Sequence, residues 1–206
     1  MLPVSPLALV LSAPSGGGKT TVCQQLLATR PTLARAITCT TRPPRPGEQD
    51  GADYYFLSAE TFQKRVEAGQ FLEHATVYGY RYGTLRSELM DKLGQAKDVL
   101  LTVDVQGVVS IQACAQLDPE LRRALVTVFL TPPSLAILEE RLRKRGTDAE
   151  AVQQRRLRVA REEIAQWRRF DYLVLSTTMA EDLHRMQAIY DAERMRPARS
   201  QPPLIK

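Results

Sequence analysis

Leu7-Ala8-Leu9-Val10-Leu11 is a continuous apolar run that passes directly into Ser12-Ala13-Pro14-Ser15-Gly16-Gly17-Gly18-Lys19-Thr20-Thr21. Apolar residues without alternation mark a strand covered on both faces, the usual condition of strands in parallel sheets. Residues Ala13 to Thr20 fit the phosphate-loop pattern once Ala is allowed at its first position, where Gly is usual. The glycines let successive backbone N–H groups turn inward onto a phosphate. Lys19 places a cation between neighbouring phosphates, and the Thr20 hydroxyl suits Mg²⁺. A helix predicted over roughly Lys19 to Ala28 adds the positive end of its dipole.

Further apolar runs end at Cys39, Asp104, Leu130 and Leu175, and most are separated by helix-length periodic segments. This alternation predicts a doubly wound α/β core. Two stretches break it. Residues 42–87 carry Pro43, Pro44, Pro46 and Gly47, then short aromatic-rich runs and a helix predicted over Ser58 to Ala68, which reads as an inserted α+β subdomain. Residues 142–158 are polar, Arg-rich and interrupted by Gly146, which reads as a solvated, mobile flap between two helices.

Charge narrows the function classes. The net charge is +5, but residues 141–169 hold ten Arg or Lys against four Asp or Glu, so the excess is local. No interleaved aromatic platform accompanies it, which argues against a nucleic-acid partner. Cys23, Cys39 and Cys114 lack metal-ligand spacing, and only His74 and His184 could join them. No apolar run reaches the 18 residues of a membrane span. Met1 to Ala13 has no basic start of the signal-peptide kind, so a cytoplasmic protein with small-molecule partners is expected.

Arg42 and Arg45 lie three apart on Thr40-Thr41-Arg42-Pro43-Pro44-Arg45-Pro46-Gly47-Glu48. A proline-stiffened chain has three residues per turn, so the two side chains can share an edge and clamp one phosphate. A solvated loop or a P-x-x-P docking motif from Pro43 to Pro46 reads equally well from these residues alone. Val99-Leu100-Leu101-Thr102-Val103-Asp104 is an apolar strand ending in a carboxylate, either a magnesium-water ligand in the Walker B manner or a strand-end cap.

Taken in order, these motifs resemble guanylate kinases. The resemblance rests on the phosphate loop, the Thr40 to Glu48 segment, Asp53-Tyr54-Tyr55-Phe56, Phe71-Leu72-Glu73-His74-Ala75 and Tyr82-Gly83-Thr84. It continues through Asp104-Val105-Gln106-Gly107, Pro132-Pro133-Ser134 and Arg141-Leu142-Arg143-Lys144-Arg145-Gly146-Thr147, and it covers about 7–193. It implies a P-loop kinase core formed by residues 1–41, 88–140 and 159–206, a GMP-binding subdomain at 42–87 and a helical lid at 141–158. ATP would be held by Ala13, Pro14, Ser15, Gly16, Gly17, Gly18, Lys19, Thr20 and Thr21, with Ser176 near the adenine and Thr20 on Mg²⁺. GMP or dGMP would be held by Arg42, Arg45, Tyr54 and Tyr82 at the phosphate, by Thr38, Glu73 and Thr84 at the guanine, and by Asp104 beside them. Lys19, Arg42, Arg45, Arg141, Arg145 and Arg156 would carry catalysis.

The guanine assignment agrees with elementary chemistry, because a carboxylate accepts two parallel hydrogen bonds and guanine offers N1–H and N2–H₂ side by side. Two positions depart from the family pattern. Thr102 stands where a carboxylate is usual, and Ser176-Thr177 replaces a usual Asn-Asp. Two other readings use the same fold: a kinase for an acceptor such as a ribose bisphosphate, and a non-catalytic binding module.

Overall fold

The computed structural model describes residues 5–77, 79–144 and 150–200. Its strands are β1 (Ala8–Ser12), β2 (Leu33–Arg35), β3 (Cys39–Thr40), β4 (Tyr55–Phe56), β5 (Phe71–Val77), β6 (Tyr80–Leu85), β7 (Asp98–Val103), β8 (Leu125–Thr131) and β9 (Tyr172–Leu175). Its helices are α1 (Lys19–Thr29), α2 (Ala59–Glu67), α3 (Arg86–Gly94), α4 (Val105–Leu117), α5 (Pro119–Ala124), α6 (Leu135–Lys144), α7 (Glu150–Ile164) and α8 (Met179–Arg194).

The core is a five-stranded sheet in the order β2-β7-β1-β8-β9, and every pairing within it is parallel. Side chains alternate across a strand, so β1 divides its residues between two apolar layers. Leu9 and Leu11 pack with Val22 and Leu26 of α1 and Met186 of α8. Ala8 and Val10 pack with Leu89 and Leu93 of α3 and with Val108 and Ile111 of α4. Both faces are therefore covered, which is why β1 reads as an unbroken apolar run. Asp98, at the start of β7, accepts hydrogen bonds from the Leu7 amide at 2.8 Å and the Tyr190 hydroxyl at 2.7 Å, fixing α8 against the strand edge.

A second sheet, β4-β3-β6-β5, is inserted between β2 and α3. It begins at Cys39, three residues before the start read from the sequence. The run ending at Cys39 is in fact divided: Leu33–Arg35 joins the core sheet and Cys39–Thr40 the inserted one. Apolar character marks a strand as buried but carries no information about which sheet buries it. Chain crosses between the two sheets at residues 36–38 and again at the Leu85–Arg86 junction. Glu88 of α3 ties both crossings together, accepting the Ile37 amide at 2.9 Å. Leu72 of β5 packs beside this point with Ala36 and Leu89.

Ser58 caps α2 by accepting the Thr61 amide at 3.0 Å, which places the helix start one residue inside the predicted bound. Residues 150–158, read from the sequence as part of a solvated flap, are helical. Leu157, Ala160 and Ile164 recur at helical spacing and pack on Leu138 and Leu142 of α6.

Candidate active site

The turn from β1 into α1 presents the glycine-rich loop at the end of a strand that is rigidly buried. Gly18 is the N-cap of α1 with φ 95°, a left-handed conformation that costs glycine little and directs the backbone amides into the loop. Ala13 is accommodated because its neighbour across the loop has no side chain: a Cβ on Gly17 would stand 3.0 Å from the Ala13 Cβ.

Two cavities meet at this loop. One, of about 410 Å³, is lined by Ala13 to Thr21 together with Asp104, Gln106 and, from α7, Arg155 and Glu163. The other, of about 670 Å³, is lined by Thr38, Arg45, Tyr54, Glu73, Tyr82, Thr102, Asp104 and Arg156, and by Arg35. Ser15, Lys19, Thr20, Val77 and Asp104 line both. The ammonium of Lys19 donates to the Val103 carbonyl at 2.9 Å. Burial lowers its pKa below the ordinary lysine value, and the charges of Asp104 and Glu163 offset part of that.

Glu73 lies on β5 and is buried. One carboxylate oxygen accepts the Thr84 hydroxyl at 2.8 Å. The other faces α4, where a Cβ on Gly107 would come within 2.9 Å of it. Burial pushes its carboxyl up to about 7, because the charged form loses water that one hydroxyl does not replace. Asp104 caps α4, accepting the Gly107 amide at 2.7 Å, and it also lines both cavities. The capping role and the site role weighed for it in the sequence therefore coexist.

The two arginines of the proline-rich segment do not share an edge. Arg45 lines the larger cavity, whereas Arg42 is buried behind it. Glu48 takes one Arg42 amino group through both oxygens at 2.9 Å, and the guanidinium lies 5.5 Å from the Tyr54 ring centre. Thr84 sits behind Glu73 rather than on the cavity wall. Arg141 donates to the Ser176 hydroxyl at 3.0 Å and Ser176 in turn donates to Asp182 at 2.6 Å, so Ser176 anchors an arginine. Neither Arg141 nor Ser176 lines either cavity. Arg145 lies outside the described residues.

Four charged residues on these walls have no role in the sequence reading: Arg155, Glu162 and Glu163 of α7, and Arg35 of β2. Arg155 lies in the stretch that reads as a solvated flap, and Glu162, Glu163 and Arg35 stand outside every motif. Glu163 faces the phosphate loop with one oxygen buried and without a hydrogen-bond partner, and burial pushes its carboxyl up to about 7. A single charged residue in a charge-rich helix carries no local signal of which way it points.

Thr20 and Asp104 supply hard oxygen donors beside the loop, a set that suits Mg²⁺. Among the described residues no group of three or more His, Cys, Asp or Glu could hold a metal unaided. A magnesium ion here would be shared with phosphates and water, as is usual for this cation. No helix among the described residues is long and apolar enough to cross a membrane.

Comparison with known proteins agrees with this geometry. The sequence model of the family described as Guanylate kinase matches residues 5–193. A guanylate kinase of Maricaulis maris is 41% identical over 188 residues, which is 91% of this chain and 84% of that protein. One of Carboxydothermus hydrogenoformans is 40% identical over 193 residues, covering 94% and 91%. The crystal structure of guanylate kinase from Anaplasma phagocytophilum superposes with a TM-score of 0.74 at 32% identity, over 95% of this chain and 90% of that one. With a family model spanning residues 5–193 and relatives about 40% identical over more than nine-tenths of this chain, the chain belongs to the guanylate kinase family.

Proposed function

We propose that this chain transfers the γ-phosphoryl group of ATP to GMP, giving ADP and GDP, with dGMP as a second acceptor. The observation that carries the reading is the meeting of the two cavities at Lys19: a donor cavity framed by the phosphate loop and an acceptor cavity holding the buried Glu73. The loop amides and Lys19 hold the donor phosphates. Thr20, together with the phosphates and with Asp104 close by, would hold Mg²⁺, which would supply charge neutralisation. Arg45, Tyr54 and Tyr82 receive the acceptor phosphate, with Arg42 behind them. Thr38 and Glu73 read the guanine edge, Thr84 holds Glu73 in place, and Arg156 stands on the acceptor side of the junction. Arg141 and Arg145 belong to the lid that covers the transferring group, and Ser176 sets the position of Arg141. The inserted sheet is the GMP-binding unit, α6 and α7 form the lid, and the reaction is cytoplasmic.

The acceptor is itself a phosphate with a second pKa near 6, so its attacking oxygen is largely deprotonated at neutral pH. No general base is required, and the chemistry reduces to positioning and charge stabilisation. The test is ADP release with MgATP and each of GMP, dGMP, AMP, CMP and UMP. Strong turnover with GMP, weaker turnover with dGMP and none with the others is expected. Turnover with a ribose bisphosphate and none with GMP would overturn the reading.

Gly107 gives a narrower test. A methyl group at this position meets the Glu73 carboxylate and the Val103 side chain, each at 2.9 Å. Gly107→Ala is expected to raise KM for GMP about tenfold, the worth of one displaced charged hydrogen bond, and to leave KM for ATP within about twofold. Equal changes in both constants would point to general damage rather than to the base pocket.

A further inference from the structure

Arg35 ends β2 on the wall of the acceptor cavity. Strands β2 and β7 run parallel with Arg35 paired to Leu100, so Thr102 is the next residue of β7 on the same face, and both side chains line the cavity. Thr102 is the position at which the sequence resemblance leads one to expect a carboxylate. A hydroxyl there leaves the guanidinium without the counter-ion that a carboxylate would have supplied.

The partner Arg35 does have is neutral. One amino group donates to the Asp53 carbonyl at 3.0 Å, immediately before Tyr54, and no carboxylate among the described residues pairs with it. Four of its five N–H donors and its whole charge remain available. The cavity gathers Lys19, Arg35, Arg45 and Arg156 against two carboxylates. Both carboxylates are engaged, Glu73 with the Thr84 hydroxyl and Asp104 with the Gly107 amide. A partly buried, unneutralised arginine beside a tyrosine and a second arginine is arranged to receive an oxyanion, whose oxygens match the planar fork of a guanidinium.

We propose that Arg35 is a further ligand of the acceptor phosphate, acting with Arg45 and Tyr54; this rests on the nucleoside monophosphate reading above. Arg35 then sets how strongly the site distinguishes a phosphorylated nucleoside from the bare nucleoside. A role limited to holding the Asp53 carbonyl would act through Tyr54 alone, and Arg35→Lys, whose ammonium can still donate to a carbonyl, would then match wild type.

The experiment compares wild type, Arg35→Gln and Arg35→Lys for KM and Kd of GMP, for inhibition by guanosine and for KM of ATP. Arg35→Gln is expected to weaken GMP about tenfold, with guanosine and ATP each within about twofold. Arg35→Lys, which keeps the charge but not the fork, should fall between Arg35→Gln and wild type. GMP affinity within twofold of wild type in Arg35→Gln would overturn the proposal. So would equal losses for guanosine and GMP, the mark of a structural role. A wild-type protein that neither binds nor phosphorylates GMP would sink the acceptor reading and this inference together, and it shows in the first arm, before any variant is read.

Discussion

Lys19→Ala is expected to lower kcat by about 10³-fold with GMP as acceptor, the upper range for removing a preorganised charge from a transferring group. Among the described residues Lys19 is the one cation that lines both cavities, so its loss removes a charge from donor and acceptor sides at once. The fold should survive. The ammonium is held largely against its own desolvation, with a carbonyl as its hydrogen-bond partner, and a small side chain relieves that cost. Steady-state kinetics beside a thermal melt decide the matter. Retention of more than a tenth of wild-type kcat in a folded variant would contradict the placement of Lys19 at the reaction centre.

The second large effect falls on the base pocket. Glu73→Gln is expected to reduce kcat/KM for GMP at least about 10²-fold, because an amide offers one acceptor where guanine presents two donors and turns an NH₂ toward one of them. The two proteins should also differ in pH profile. The free protein holds Glu73 at about 7, so its carboxylate becomes protonated as pH falls through that value. Wild-type kcat/KM should then drop up to about tenfold per pH unit below 7. Ionisation of the GMP phosphate, near pH 6, affects both proteins alike, so the difference between their profiles isolates Glu73.

Stability should run the other way. The folded value lies above the ordinary glutamate value of 4.5, so folding favours the protonated carboxyl. That contribution is complete below about 4.5 and lost as pH rises through about 7. At pH 8 the charged carboxylate costs up to about 3 kcal/mol, and Glu73→Gln should raise Tm there while changing it little at pH 5. Lower Tm in the variant at pH 8 would mean that Glu73 is better solvated than its surroundings indicate.

What could be read from the residues follows physical lines. The strand and loop at Leu7 to Thr21 were legible because burial on both faces and a glycine cluster each leave a dense local pattern. Glu73 was legible only through its neighbours in the motif series, since an isolated glutamate in a strand looks like a solvated one. The fate of Arg42 was not legible. Its spacing from Arg45 permits a shared edge, but Glu48, six residues on, captures the guanidinium and seats it against Tyr54. Arg35 was hidden for a related reason: its position depends on the register of β2 against β7, a pairing across more than sixty residues of chain. The helicity of residues 150–158 was masked by their charge, because the apolar residues of α7 packed on the neighbouring helix, Leu157, Ala160 and Ile164, are sparse and lie toward its end.

The Glu88 tie between the two chain crossings has a mechanical corollary. Two crossings held at one carboxylate fix the root of the inserted sheet, and Leu72 is packed beside Ala36 and Leu89 at that root. Glu73 adjoins Leu72 on β5 and so stands close to that root. The ruler that measures the base is thus mounted where the inserted sheet is joined to the core, and its calibration is set by the core.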